Sequence, residues 1–100
     1  MADNNVYRQW RVMTVSARQL AADDSLPLWQ KAYRVPGAYN GIELSGLLSR
    51  HRSKILSVLK QINLILQRYE LETFDDYQKI TEQDLQEIIA LAQGMSHTRI

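Results

Sequence analysis

Cysteine is absent from this chain of 100 residues, and proline, glycine and phenylalanine are scarce. Without cysteine there can be no disulfide, no thiolate metal site and no cysteine nucleophile. No hydrophobic run approaches the ~18 residues of a membrane-spanning helix. A secretory signal has a basic stretch followed by an apolar stretch, and the N-terminal sequence MADNNVYRQW lacks this pattern. We therefore expect a cytoplasmic protein with no membrane segment.

Neither positive nor negative charge dominates, because the chain contains 12 Lys and Arg residues and 11 Asp and Glu residues. Residues 1–54 nevertheless carry eight basic and four acidic side chains, whereas residues 55–100 carry four basic and seven acidic ones. A strongly basic nucleic-acid-binding domain has a pI above ~9, and the pI here is about 8.0. A hydrophobic fraction of 45% suffices for one small core, so residues 1–100 are predicted to form a single domain.

Apolar residues recur at alternating steps of four and three through residues 42–72, which is the spacing of one helix face. The positions on this face are Leu44, Leu48, His51, Ile55, Val58, Ile62, Ile65 and Tyr69. Gly46 weakens the first turn, so the stable part of this long helix is predicted from about Leu47 to Glu70.

A second helix is predicted near the C-terminus, with a marker at each end. Thr81 is a good N-cap, Asp84 is placed to complete a capping box, and Gly94 fits a left-handed stop. The apolar stripe of this helix consists of Leu85, Ile88, Ile89 and Ala92. Because the link between the two helices is short, residues 44–72 and 81–93 are expected to pack as an antiparallel hairpin.

The N-terminal segment also favours a helix, with Asp3 available as its cap. The apolar positions with helical spacing are Val6, Trp10, Met13, Ala17 and Leu20. A strand remains the alternative for residues 6–15, because Val12, Thr14 and Val15 have high strand propensity.

Residues 25–41 contain both prolines, and turns are expected at Pro36-Gly37 and Asn40-Gly41, so we interpret this segment as a long aromatic loop that can include a short helical turn around Trp29. The predicted fold class is therefore all-α: a small helical bundle built on the antiparallel hairpin, with an N-terminal helix and the aromatic loop.

Catalytic and metal-binding patterns are not found in the sequence. The two histidines are His51, near the centre of the apolar face of the long helix, and His97, near the C-terminus. There is no HExxH motif and no Gly-rich phosphate loop. We predict that the protein is not an enzyme, with no catalytic residue, no cofactor and no metal site.

Two features could serve nucleic-acid binding. The segment LQEIIALAQGMSHTRI, residues 85–100, resembles the first helix and turn of a helix-turn-helix, but no recognition helix follows in the sequence. Arg50, Arg52 and Lys54 flank the apolar face of the long helix and form no stripe, so their contact with phosphate would be weak and salt-sensitive. Direct nucleic-acid binding is therefore not the preferred interpretation.

Protein binding is favoured by apolar and aromatic residues in polar surroundings. Leu64 projects into the polar face of the long helix, and residues 25–41 contribute types enriched at interface hot spots. Trp29 and Tyr33 could equally fold back over the small core. The predicted partner-binding set is Trp29, Tyr33, Arg34, Tyr39, Arg50, Arg52 and Leu64.

Two segments, MADNNVYRQWRVMTVSARQL and VPGAYNGIELSGLL, resemble the anti-RecBCD proteins of lambdoid Salmonella phages. The resemblance implies a phage-encoded protein without enzymatic activity in the host cytoplasm. It implies that the protein binds the RecC subunit of the host nuclease RecBCD and inhibits or modifies that enzyme. The alternative prediction is a small DNA-binding transcriptional regulator that uses the basic shoulder 50–54 and the C-terminal segment. A third prediction is a homo-oligomer that self-associates along the face of the long helix containing His51.

Overall fold

The computed structural model describes residues 4–97, which form four α-helices and two 3₁₀ segments and contain no strand. The helices are α1 (Asn4–Ala22), α2 (Leu28–Gly37), α3 (Ser49–Leu66) and α4 (Glu82–Ser96). The 3₁₀ segments are Leu44–Gly46 and Phe74–Lys79. The predicted all-α fold is confirmed. None of the helices in the described range combines the length and apolar character that a bilayer span requires.

Helix α1 resolves the choice between helix and strand for the N-terminal segment. Val6, Trp10 and Ala17 are buried, and Met13 and Leu20 pack against the same core. Burial of residues spaced by four and three requires a helix, and this long-range packing outweighs the strand propensity of the valines. The predicted cap Asp3 lies outside the described residues.

Helix α4 is the central element of the bundle, because it packs against α1, α2 and α3. Ile88, Ala92 and Met95 on this helix are almost completely buried. The predicted N-cap is confirmed, since the backbone N–H of Asp84 donates to Oγ1 of Thr81 at 3.2 Å. The predicted stop at Gly94 is wrong: the helix continues to Ser96 because Met95 and Ser96 are buried against the core.

The α3–α4 pair has the predicted hairpin arrangement, with a shorter α3 and a longer α4 than expected. Helix α3 begins at Ser49 and ends at Leu66, inside the predicted limits of 47 and 70. The end of α3 meets the start of α4, where the hydroxyl of Tyr69 donates to the carboxylate of Asp84. Arg68 pairs with the same carboxylate at 3.1 Å. The Asp84 side chain therefore ties α4 to the end of α3, and it does not complete the predicted capping box.

The predicted long loop over residues 25–41 is wrong, because α2 occupies most of it. Ala32 and Val35 on α2 are buried, and α4 packs along this helix more extensively than along any other. Pro36 lies in the last turn, where it has no N–H to donate to the carbonyl of Ala32, and the burial of Ala32 and Val35 in the core offsets this lost hydrogen bond. The turn at Asn40-Gly41 is confirmed by the positive φ of Gly41, which is 85°.

Candidate functional site

Four aromatic rings from two distant parts of the sequence meet at the surface. Trp29 and Tyr33 lie on α2, and Phe74 and Tyr77 lie on the 3₁₀ helix Phe74–Lys79. The ring centroids of Trp29 and Phe74 are 5.0 Å apart, and those of Tyr33 and Phe74 are 4.6 Å apart. Tyr77 meets Tyr33 edge to face at 5.2 Å. We call these four residues the aromatic cluster.

Arg34 adds a cation to the aromatic cluster. Its guanidinium carbon lies 5.6 Å from the centroid of the Phe74 ring, within the range of a cation–π contact. The structure therefore brings together Trp29, Tyr33 and Arg34, three of the residues predicted to bind a partner. Tyr33 remains 45% exposed, so one face of the cluster is open to solvent.

An open groove of about 510 Å³ runs from the aromatic cluster to the end of α3. Its apolar lining comes from the rings of Tyr33, Phe74 and Tyr77 and from Leu66 and Leu71. Its polar lining comes from Asn63, Gln67, Tyr69, Glu72 and Thr73. The groove thus offers apolar area together with hydrogen-bonding groups.

The hydroxyl of Tyr77, which lines the groove, is neutral near pH 7. Burial, assisted by the neighbouring Tyr33, raises the pKa of Tyr77 above its ordinary value, so its hydroxyl stays neutral and able to donate a hydrogen bond.

Among residues 4–97 no three His, Cys, Asp or Glu side chains converge as a metal ion would require.

The carboxylate of Asp76 holds the 3₁₀ helix that presents Phe74 and Tyr77. It accepts hydrogen bonds from the backbone N–H groups of Glu72 at 2.8 Å and Thr73 at 3.0 Å. Lys79 pairs with it at 3.1 Å. These contacts, with the backbone hydrogen bonds contributing most, lower the pKa of Asp76 to about 2.

We expect protein stability to fall in acid through the protonation of Asp76. Because its pKa is depressed in the folded state, its contribution is fully present above the unfolded value of about 4 and is lost as the pH falls through about 2. Asp76→Asn should lower the melting temperature at pH 7 and should match the wild-type protein near pH 2, as measured by circular dichroism. Asp75→Asn, which removes an equal charge from an exposed neighbour, is the control. Equal pH profiles for wild type and Asp76→Asn would contradict the assignment.

The other predicted site residues lie apart from the aromatic cluster. Tyr39 is only 5% exposed, its ring lies 4.6 Å from that of Trp10, and its hydroxyl donates to Thr14 at 3.2 Å. This corrects the expected exposed position of Tyr39, because the ring forms part of the core. Leu64 is 53% exposed, one turn before Gln67 of the groove.

The basic shoulder 50–54 lies at the opposite end of α3 from the groove. Arg50 is exposed and Arg52 is half-buried, while the intervening His51 is buried beside Tyr7. Arg52 and Leu66 are separated by about 21 Å along α3, at ~1.5 Å per residue. The structure therefore does not bring the predicted arginines of α3 to the aromatic cluster.

The turn expected of a helix-turn-helix is not present at Gly94. Helix α4 passes through Gly94 without interruption and ends at Ser96, so residues 85–96 form one continuous helix. The last three residues of the segment, 98–100, lie outside the described residues.

Phe74 and Tyr77 are the site residues that the sequence analysis missed. Both lie in the short link between the two predicted helices, for which only a connecting role is predicted. Their spacing of three places both side chains on the same face of a 3₁₀ helix, where residues three apart lie one above the other. That spacing, together with the position of Asp76 for bonding to the preceding backbone, is the sequence feature that could have predicted these two site residues.

No model of a known protein family matches this chain, and no similar chain was found among curated proteins or among solved structures.

Proposed function

We propose that this protein acts by binding another protein through the aromatic cluster and its groove. The observation that carries the proposal is the convergence of Trp29, Tyr33, Phe74 and Tyr77, with Arg34 over the Phe74 ring. Tryptophan, tyrosine and arginine are the residue types that contribute most to interface hot spots.

The arrangement has the parts that such an interface needs. The half-exposed ring of Tyr33 supplies apolar area that a partner can bury. Asn63, Gln67 and Glu72 supply a polar rim that can hydrogen-bond and exclude water. The rings are packed against one another, so a partner would not have to order them, which reduces the entropic cost of binding.

The specific partner we propose is the host recombination nuclease RecBCD, contacted at its RecC subunit. This choice comes from the resemblance of MADNNVYRQWRVMTVSARQL and VPGAYNGIELSGLL to the phage anti-RecBCD proteins. In this proposal the protein has no catalytic activity of its own and alters the nuclease by occupying its surface in the host cytoplasm.

Titration of immobilised RecBCD with the full chain tests both parts of the proposal. We expect saturable binding, and we expect Tyr33→Ala to weaken it by at least tenfold, which is ~1.4 kcal/mol. Leu64→Ala should weaken it less, and Leu48→Ala is the matched control at the other end of α3, where Leu48 is 41% exposed. Absence of binding would contradict the choice of RecBCD, and full binding by Tyr33→Ala would contradict the groove.

The competing prediction of a DNA-binding regulator retains one supporting observation. Arg50 and Lys54 are exposed, and α3 carries no acidic residue between Ser49 and Leu66. A regulator would shift duplex DNA in a gel, and the shift would fade steeply between ~50 and ~200 mM salt. Such a shift, lost in Arg50→Ala, would favour the regulator over the protein-binding proposal.

A further inference from the structure

The solvent-facing side of α1 has an unusual composition for a free helix surface. Arg8, Arg11, Val12, Val15 and Gln19 follow helical spacing, and all five are exposed. We call these five residues the outer α1 face. Val12 is 66% and Val15 is 54% exposed, the highest values among the large hydrophobic residues of the described range.

More than half of each valine stays exposed within this chain. Valine has a lower helix propensity than alanine, by up to ~0.7 kcal/mol, and this cost is normally offset by burial. Val12 also lines an open groove of about 450 Å³ along α1, together with Asn5, Arg8, Gln9 and Met13. Two exposed valines one turn apart beside such a groove form a surface suited to burial by another molecule.

The charge of α1 defines the chemistry of that molecule. The helix carries Arg8, Arg11 and Arg18 and has no acidic residue from Asn4 to Ala22. Arg18 is engaged within the fold, since its guanidinium donates to the backbone carbonyl of Ser96 at 2.8 Å. Arg8 and Arg11 therefore remain to place positive charge at the N-terminal side of the valines, and a complementary surface would be apolar opposite Val12 and Val15 and acidic opposite the two arginines.

We propose that the outer α1 face binds an acidic amphipathic helix of a partner protein. Helix α1 has 19 residues and is about 28 Å long at ~1.5 Å per residue, enough for five turns of a second helix. Leucine or isoleucine at steps of three and four would cover Val12 and Val15. Glutamate or aspartate beside them would pair with Arg8 and Arg11.

Other occupants fit this face less well. The phosphate backbone of DNA would contact the arginines but would leave the valines without apolar partners. A membrane would need a broad apolar helix face, whereas the broad apolar face of α1, with Val6, Trp10 and Ala17, is buried in the core. The outer α1 face shares no residue with the aromatic groove, so this inference does not rest on the function proposed above.

Selection of peptides on the immobilised full chain provides the test. The probe is a displayed library of 20-residue helical peptides in which acidic, basic and neutral residues are equally allowed at the polar positions. We expect the selected peptides to be acidic, with leucine or isoleucine at steps of three and four. We expect Arg11→Glu and Val12→Ala each to weaken their binding at least tenfold.

Matched controls separate this face from the rest of the molecule. Lys60→Glu makes the same change of charge on α3, and Leu56→Ala truncates an exposed apolar residue there, so both should bind the peptides as the wild type does. Exchange of the peptide glutamates for lysine should restore binding to Arg11→Glu. Tyr33→Ala should leave peptide binding unchanged, which distinguishes this face from the aromatic groove.

Four results would overturn the inference. The first is selection of peptides without acidic enrichment, and the second is peptide binding that Arg11→Glu does not change. The third is binding of duplex DNA or of vesicles containing phosphatidylglycerol that Arg11→Glu abolishes. The fourth is a dimer in light scattering that Val12→Ala abolishes, which would assign the face to a second copy of this chain.

Discussion

Replacing Trp10 with alanine is expected to lower the free energy of unfolding by about 3–5 kcal/mol. The indole is only 3% exposed, and its centroid lies 4.6 Å from that of Tyr39, which follows α2. The substitution would remove this ring contact and would leave a cavity between α1 and the segment after α2. Because small domains are stable by only about 5–15 kcal/mol, this loss is a large fraction of the total stability.

Urea unfolding followed by circular dichroism measures this loss, with Trp29→Ala as the matched control. Both changes remove an indole, but Trp29 is only half-buried and lies at the edge of the core. Trp29→Ala should therefore cost less stability, and its main effect should be on partner binding. Equal losses of stability for the two variants would show that the contact between α1 and Tyr39 contributes no more to stability than the edge of the core at Trp29.

Replacing Ile88 with alanine is the second change for which we expect a large effect, a loss of about 2–5 kcal/mol. Ile88 is 1% exposed and lies on α4, the helix that packs against all three others. A cavity at this position loosens the centre of the bundle, because neighbouring side chains can fill it only in part. Thermal and urea unfolding should both show the loss.

Leu64→Ala is the control for Ile88→Ala, since it truncates an aliphatic side chain of the same size that is 53% exposed. Surface changes of this kind usually alter stability by less than ~0.5 kcal/mol. A large loss in Leu64→Ala, or a small one in Ile88→Ala, would contradict the position of the core described above.

Local periodicity was sufficient to predict the helices with long amphipathic faces. Val6, Trp10 and Ala17 in α1, and Ile55, Ile62 and Ile65 in α3, occur at helical spacing in the sequence and are buried in the structure. The Thr81 cap was equally predictable, because it depends only on a hydroxyl and a backbone N–H three residues later. The exposure of Leu64 also followed from its position opposite the apolar face.

The sequence by itself determined the all-α class, the buried faces of α1, α3 and α4, and the separation of basic and acidic halves. The fold class and the buried faces depend on residues within one or two helical turns of one another, and the charge separation depends on composition alone. Only the tertiary structure decided that residues 28–37 form a helix despite Pro36 and that α4 continues past Gly94. The reason is that packing against distant segments outweighs local propensity. It also decided that Tyr39 belongs to the core and that Tyr33 meets Phe74, because each ring contacts a residue far away in the chain.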